Sequence, residues 1–69
     1  MSNTLKNEVT LAEEIVKHLR NKAIKVSKEY EAVIELNYFI AVYRNGKETI
    51  ESKRILGKLQ NGYYEEIYI

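Results

Sequence analysis

The run YEAVIELNYFIAVYR, Tyr30 to Arg44, decides the fold. Read at period two, Tyr30, Ala32, Ile34, Leu36, Tyr38, Ile40 and Val42 share one face. Glu31, Val33, Glu35, Asn37, Phe39, Ala41 and Tyr43 share the other, polar at first and apolar later. Such alternation predicts a strand with one face fully buried, and the aromatic and β-branched enrichment points the same way. Asn45-Gly46 follows at once, the dipeptide of a type I′ hairpin turn, which needs positive φ at both central residues. The competing reading is a second helix, capped by Ser27 and running to Arg44. It would be apolar nearly all round, with Val33, Ile34, Leu36, Phe39, Ile40 and Val42 leaving no clean polar face. The strand is preferred for that reason.

Downstream, the turn sets Tyr43 opposite Glu48, Val42 opposite Thr49 and Ala41 opposite Ile50. Lys47 to Leu56 alternates poorly, so residues 47–60 read as a twisted strand or a short helix. Asn61-Gly62 repeats the turn signal, places Lys58 opposite Glu65 and Leu56 opposite Ile67, and makes Tyr63 to Ile69 a terminal strand. Upstream, Ile24 and Val26 alternate with Lys25 and Ser27 as a short strand or a lead-in. Thr10-Leu-Ala-Glu13 has the form of a capping box. Leu11, Ile15 and Leu19 then recur at helical spacing, widened by Val16 and Ala23. Glu13 and Glu14 early, with Lys17, Arg20 and Lys22 late, suit the helix dipole, and Glu13 with Lys17 is a favourable i,i+4 pair. Residues 1–8 are expected to be a flexible leader and 9–69 a single small domain. The expected class is α+β: one N-terminal helix packed on a three-stranded antiparallel meander, α-β-β-β.

A chain of 69 residues is near the lower limit for a self-sufficient core. Ordering each residue costs roughly 1–2 kcal/mol of backbone entropy, and chains this short usually draw on disulfides, metal or association. With no cysteine and one histidine, association remains; a homodimer or a larger protein partner is expected, and no cofactor or metal. Eleven Lys and Arg against ten acids, all Glu, give a net charge of +1 and no global steering toward nucleic acid. No apolar run approaches bilayer-spanning length and no h-region follows the N-terminus, so a cytoplasmic location is expected. The Lys, Glu, Ile, Asn and Tyr bias without proline resembles the composition of AT-rich genomes and their mobile elements.

Nucleophilic catalysis needs an activated nucleophile, a base and an orienting group. The chain has no Cys or Asp and only Ser2, Ser27 and Ser52 as serines. His18 with Glu14 one turn earlier could form an acid-base pair, yet an edge-of-core histidine beside a helical neighbour explains the same spacing. Glu65 and Glu66 on a strand point to opposite faces and make no carboxylate dyad. The glycines Gly46, Gly57 and Gly62 are isolated and form no phosphate loop. No enzymatic activity is expected.

Two groups of residues remain. Lys17, Arg20, Lys22, Lys25 and Lys28 have no acid among them and could meet phosphates or an acidic partner, although cations at a helix C-terminus are expected for dipole reasons alone. Tyr38, Tyr43, Tyr63, Tyr64 and Tyr68 exceed what one helix can cover on a small sheet, and tyrosine is favoured at interface hot spots. Tyr63 to Ile69, with no proline or lysine, would be an unprotected sheet edge open to pairing. The expected function is a non-catalytic protein-binding regulator or inhibitor, with a small nucleic-acid-binding regulator as the alternative. In size and composition the chain is similar to phage-encoded inhibitors of host proteins, including anti-defence proteins. That resemblance implies a protein that blocks a host component.

Overall fold

The segment 30–44 is helical. A computed structural model describes residues 5–21 and 27–68, the residues Leu5, Ser27, Ile67 and Tyr68 by backbone placement only. Among them are the helices α1 (Leu5–Asn21), α2 (Ser27–Asn45), α3 (Ile50–Gln60) and α4 (Tyr63–Tyr68), and no strand. The expected α+β class and its antiparallel sheet are therefore incorrect; the described chain is all-α. Ile24 and Val26, read as a short strand, lie outside the described residues.

The period-two signal in α2 has a helical cause. Residues two apart on an α-helix sit about 200° apart around the axis, so an apolar residue at every second position marks two opposite stripes. Ala32, Leu36 and Ile40 are buried, whereas Tyr30, Ile34 and Tyr38 from the same series are exposed. Val33 and Phe39 complete the buried stripe. That stripe belongs to one core with Ala12, Ile15, Val16 and Leu19 of α1, Ile55 and Leu59 of α3, and Tyr64 of α4. Leu36 and Phe39 are fully buried, each contributing about 1.5–3 kcal/mol relative to exposure, which outweighs the small propensity preferences of β-branched and aromatic residues. The all-round apolar character that argued against a helix belongs to one that buries one stripe and leaves a second apolar stripe exposed.

Both Asn-Gly pairs end helices and form no hairpin. A type I′ turn needs positive φ at both central residues; here only the glycines have it, Gly46 at 76° and Gly62 at 75°. Gly46 follows the last residue of α2, and the Lys47 amide donates to the Val42 carbonyl at 3.3 Å, the outer bond of a Schellman motif. After α3, the Gly62 amide donates to the Leu59 carbonyl at 3.2 Å. Residues 63–68, expected as a terminal strand, form the single short helix α4.

The capping box also lies elsewhere than expected. α1 begins at Leu5, so Thr10 falls inside it. At α3, Thr49 Oγ1 accepts from the Ser52 amide at 3.0 Å while Ser52 Oγ accepts from the Thr49 amide at 2.8 Å. This reciprocal pair starts the helix and resolves residues 50–60 as α3. Across the α1–α2 seam, Glu13 forms an ion pair with Arg44.

Candidate functional site

The outer stripe of α2 is the candidate site. Tyr30, Ile34 and Tyr38 recur at i, i+4 and i+8, the spacing that stacks side chains on one helical face. They are 60%, 53% and 39% exposed. Ala41, one further helical step along, is exposed as well. The ridge is flanked by Glu31 and Asn37, both exposed. At its C-terminal end the Tyr38 hydroxyl and Thr49 Oγ1 share a hydrogen bond of 2.9 Å, which ties the ring to the start of α3. The next residue, Ile50, is 84% exposed. The three ridge side chains present on the order of 350 Å², and about 500 Å² with Ile50. This is the size at which the largest apolar patch of a small monomer is often functional.

The other tyrosines face elsewhere. Tyr64, expected at a protein interface, is 1% exposed and sits in the core. Its hydroxyl donates to Glu35 Oε1 at 2.6 Å. Lys58 Nζ lies 3.3 Å from the same oxygen and 5.1 Å from the centre of the Tyr63 ring. Tyr63 meets Tyr64 edge to face at 5.1 Å. Glu35, on the flank of α2, thus receives both a phenol from α4 and an ammonium from α3. A half-buried carboxylate held by two donors from two elements is a fastening.

Tyr43 is half-buried against Phe39, with ring centres 4.7 Å apart. Its hydroxyl donates to Glu48 Oε2 at 2.8 Å, a contact between residues expected to pair across a hairpin and here joined around a helix end. Burial first, and the Glu48 carboxylate second, push the Tyr43 hydroxyl above its ordinary pKa of 10.0. Tyr68 lies in α4 with its side chain outside the described residues.

Of the expected basic patch, Lys17 and Arg20 on α1 and Lys28 at the start of α2 are exposed. Lys22 and Lys25 lie outside the described residues. Glu14 and His18 are both exposed on α1. Among the described residues no group of three or more His, Cys, Asp or Glu converges to hold a metal, and no helix is long and apolar enough to cross a membrane. A shallow groove of about 340 Å³ between the start of α1 and the end of α3 is lined by Asn7, Glu8, Leu11, Leu59, Gln60 and Glu65.

Tyr30, Ile34 and Ile50 were missed by sequence reading, and Tyr38 was found for a different reason. The signal was present: two apolar series, 32/36/40 and 30/34/38, interleaved in one run. It becomes visible only when the run is read at period four. No protein-family model, curated protein or solved structure matches the chain.

Proposed function

We propose that this chain is a non-catalytic protein-binding module, of the regulator or inhibitor kind, whose contact surface is the Tyr30–Ile34–Tyr38 ridge. One observation carries the reading: a helix already seated by a complete buried stripe presents three large apolar side chains to water on its other side. Exposing Ile34 gains the fold nothing, whereas covering it in a complex removes apolar area from water at about 25 cal/mol per Å². The two tyrosines add area at low entropy cost and keep a hydroxyl for a polar rim. Tyr38 is held in place by Thr49 before any partner arrives, which lowers the ordering cost of contact.

Affinity capture with tagged protein, with and without nuclease, tests this reading against phosphate binding. Wild type is compared with Ile34→Glu and with the double reversal Lys17→Glu/Arg20→Glu. The expected result is a bound protein that survives nuclease, is lost with Ile34→Glu and is retained by the double reversal. Capture that disappears with nuclease or with the charge reversal, while tolerating Ile34→Glu, overturns the reading in favour of nucleic-acid binding.

A further inference from the structure

We infer that the protein covering this ridge is a second copy of the chain, joined by antiparallel packing of α2 on α2 about a two-fold axis at Ile34. The inference rests on the reading of the ridge as a contact surface and names its occupant. The spacing Tyr30-x3-Ile34-x3-Tyr38 reads the same in both directions. An isologous contact pairs each residue with the image of another on the same surface, and a ridge symmetric about its middle residue sets apolar side chains against apolar ones throughout. With the axis at Ile34, the two Ile34 side chains meet at the centre. Tyr30 of each copy comes level with Tyr38 of the other, about 6 Å along the helix from the axis.

The flanks agree. Glu31 comes level with Asn37 of the second copy, so no like charges are opposed, and none of the three ridge residues is charged. Ile50, 84% exposed just beyond the Tyr38 end, extends the contact toward the N-terminal end of the facing α2. The area suffices for a weak dimer. Ridge, Ile50 and flanking residues of both copies bury on the order of 1,000 Å², the lower bound for a specific interface. A dissociation constant in the micromolar range is expected.

Sedimentation equilibrium of the full chain, up to about 200 μM, reads the outcome. Wild type is expected to approach twice the 8.1 kDa chain mass. Ile34→Glu places two carboxylates at the axis and is expected to weaken association at least about a hundredfold. Mixing Ile34→Glu with Ile34→Lys is expected to restore a dimer containing one of each, because residue 34 faces itself only at a two-fold axis. Since the chain has no cysteine, Ile34→Cys should cross-link two copies on oxidation, while Lys53→Cys on α3 should not. This arm stands even where a charged variant folds poorly.

A wild type that stays at the single-chain mass overturns the inference. So does a dimer that Ile34→Glu leaves unchanged and Ile34→Cys fails to cross-link. The broader reading fails separately. A monomeric wild type whose captured protein is still lost with Ile34→Glu sinks only the second-copy assignment, whereas an Ile34→Glu that alters neither mass nor capture sinks both.

Discussion

Tyr64→Phe isolates one hydroxyl in a buried place. The ring stays, and with it the packing among Ile55, Leu59 and the α1 residues of the core and the edge contact with Tyr63. What is lost is a 2.6 Å bond to the Glu35 carboxylate, at the short end typical of a charge-assisted O–H···O⁻ contact. Bonds of this type contribute about 1.5–3 kcal/mol. The Glu35 side chain is 31% exposed, so water can replace part of what the phenol supplied, and the lower half, about 1.5–2 kcal/mol, is expected. For a chain of this length total stability is on the order of 3–10 kcal/mol. In urea, with a slope of about 1 kcal/mol per molar, the midpoint should fall by about 1.5–2 M. The assay is far-ultraviolet circular dichroism against urea at fixed protein concentration, since association would otherwise shift the midpoint. Glu35→Gln completes a double-mutant cycle. The two changes should be non-additive by at least about 0.5 kcal/mol, because they dismantle the same bond. A Tyr64→Phe midpoint within about 0.3 M of wild type, or strict additivity, refutes this account of how α4 is held.

Two glycines should respond in opposite directions to the same added methyl group. Gly57, inside α3 with open space around a Cβ, should gain about 0.5–1 kcal/mol on conversion to alanine, raising the melting temperature by several degrees. Gly46 also has open space, but its φ of 76° penalises a side chain, so Gly46→Ala should lower stability by about 1–2 kcal/mol. Thr49→Ala removes the acceptor for the Ser52 amide and should cost about 0.5–2 kcal/mol by urea titration. Tyr43, with its pKa raised above 10.0, holds its proton more tightly folded than unfolded. Its contribution is complete below pH 10 and is lost as pH rises through the elevated folded value. Alkaline melting of wild type should therefore fall more steeply above pH 10 than that of Tyr43→Phe; equal slopes would refute a Tyr43 hydroxyl raised by burial and by Glu48.

How much of this was legible depends on what each residue pattern can encode. The stripe of α1 could be read directly: Ile15, Val16 and Leu19 are buried, and Leu11 packs against the core's edge. α2 could not, because two opposite helical stripes and one strand face generate the same alternation, and the choice turned on whether a helix can be apolar all round. It can when one stripe is core and the opposite stripe is left exposed. Asn45-Gly46 and Asn61-Gly62, read as hairpin turns, stand at the ends of α2 and α3, because Gly at positive φ serves a helix end as readily as a hairpin. Residues 47–60 stayed open because their cap, Thr49 with Ser52, departs from the usual Glu or Gln at N3. For the site, residue type did not reveal which tyrosines face water. Tyr64 and Tyr38 have the same side chain, and only the turn offset between α4 and α2 sends one into the core and leaves the other outside.

Glu35 also sets an order of events. A helix of six residues has no standing of its own in water, so the α4 backbone is held mainly by what Tyr64 and its neighbours bury. Its amide hydrogens should thus exchange with solvent through a local release of Tyr64 from Glu35, well before those of Leu36 or Phe39, which wait for global opening. α4 is then a separate cooperative unit, fastened by the buried Tyr64 ring, its phenol and the Lys58–Tyr63 contact. A protease sampling the native ensemble should reach it first, leaving the α1–α2–α3 unit to report its own slower unfolding.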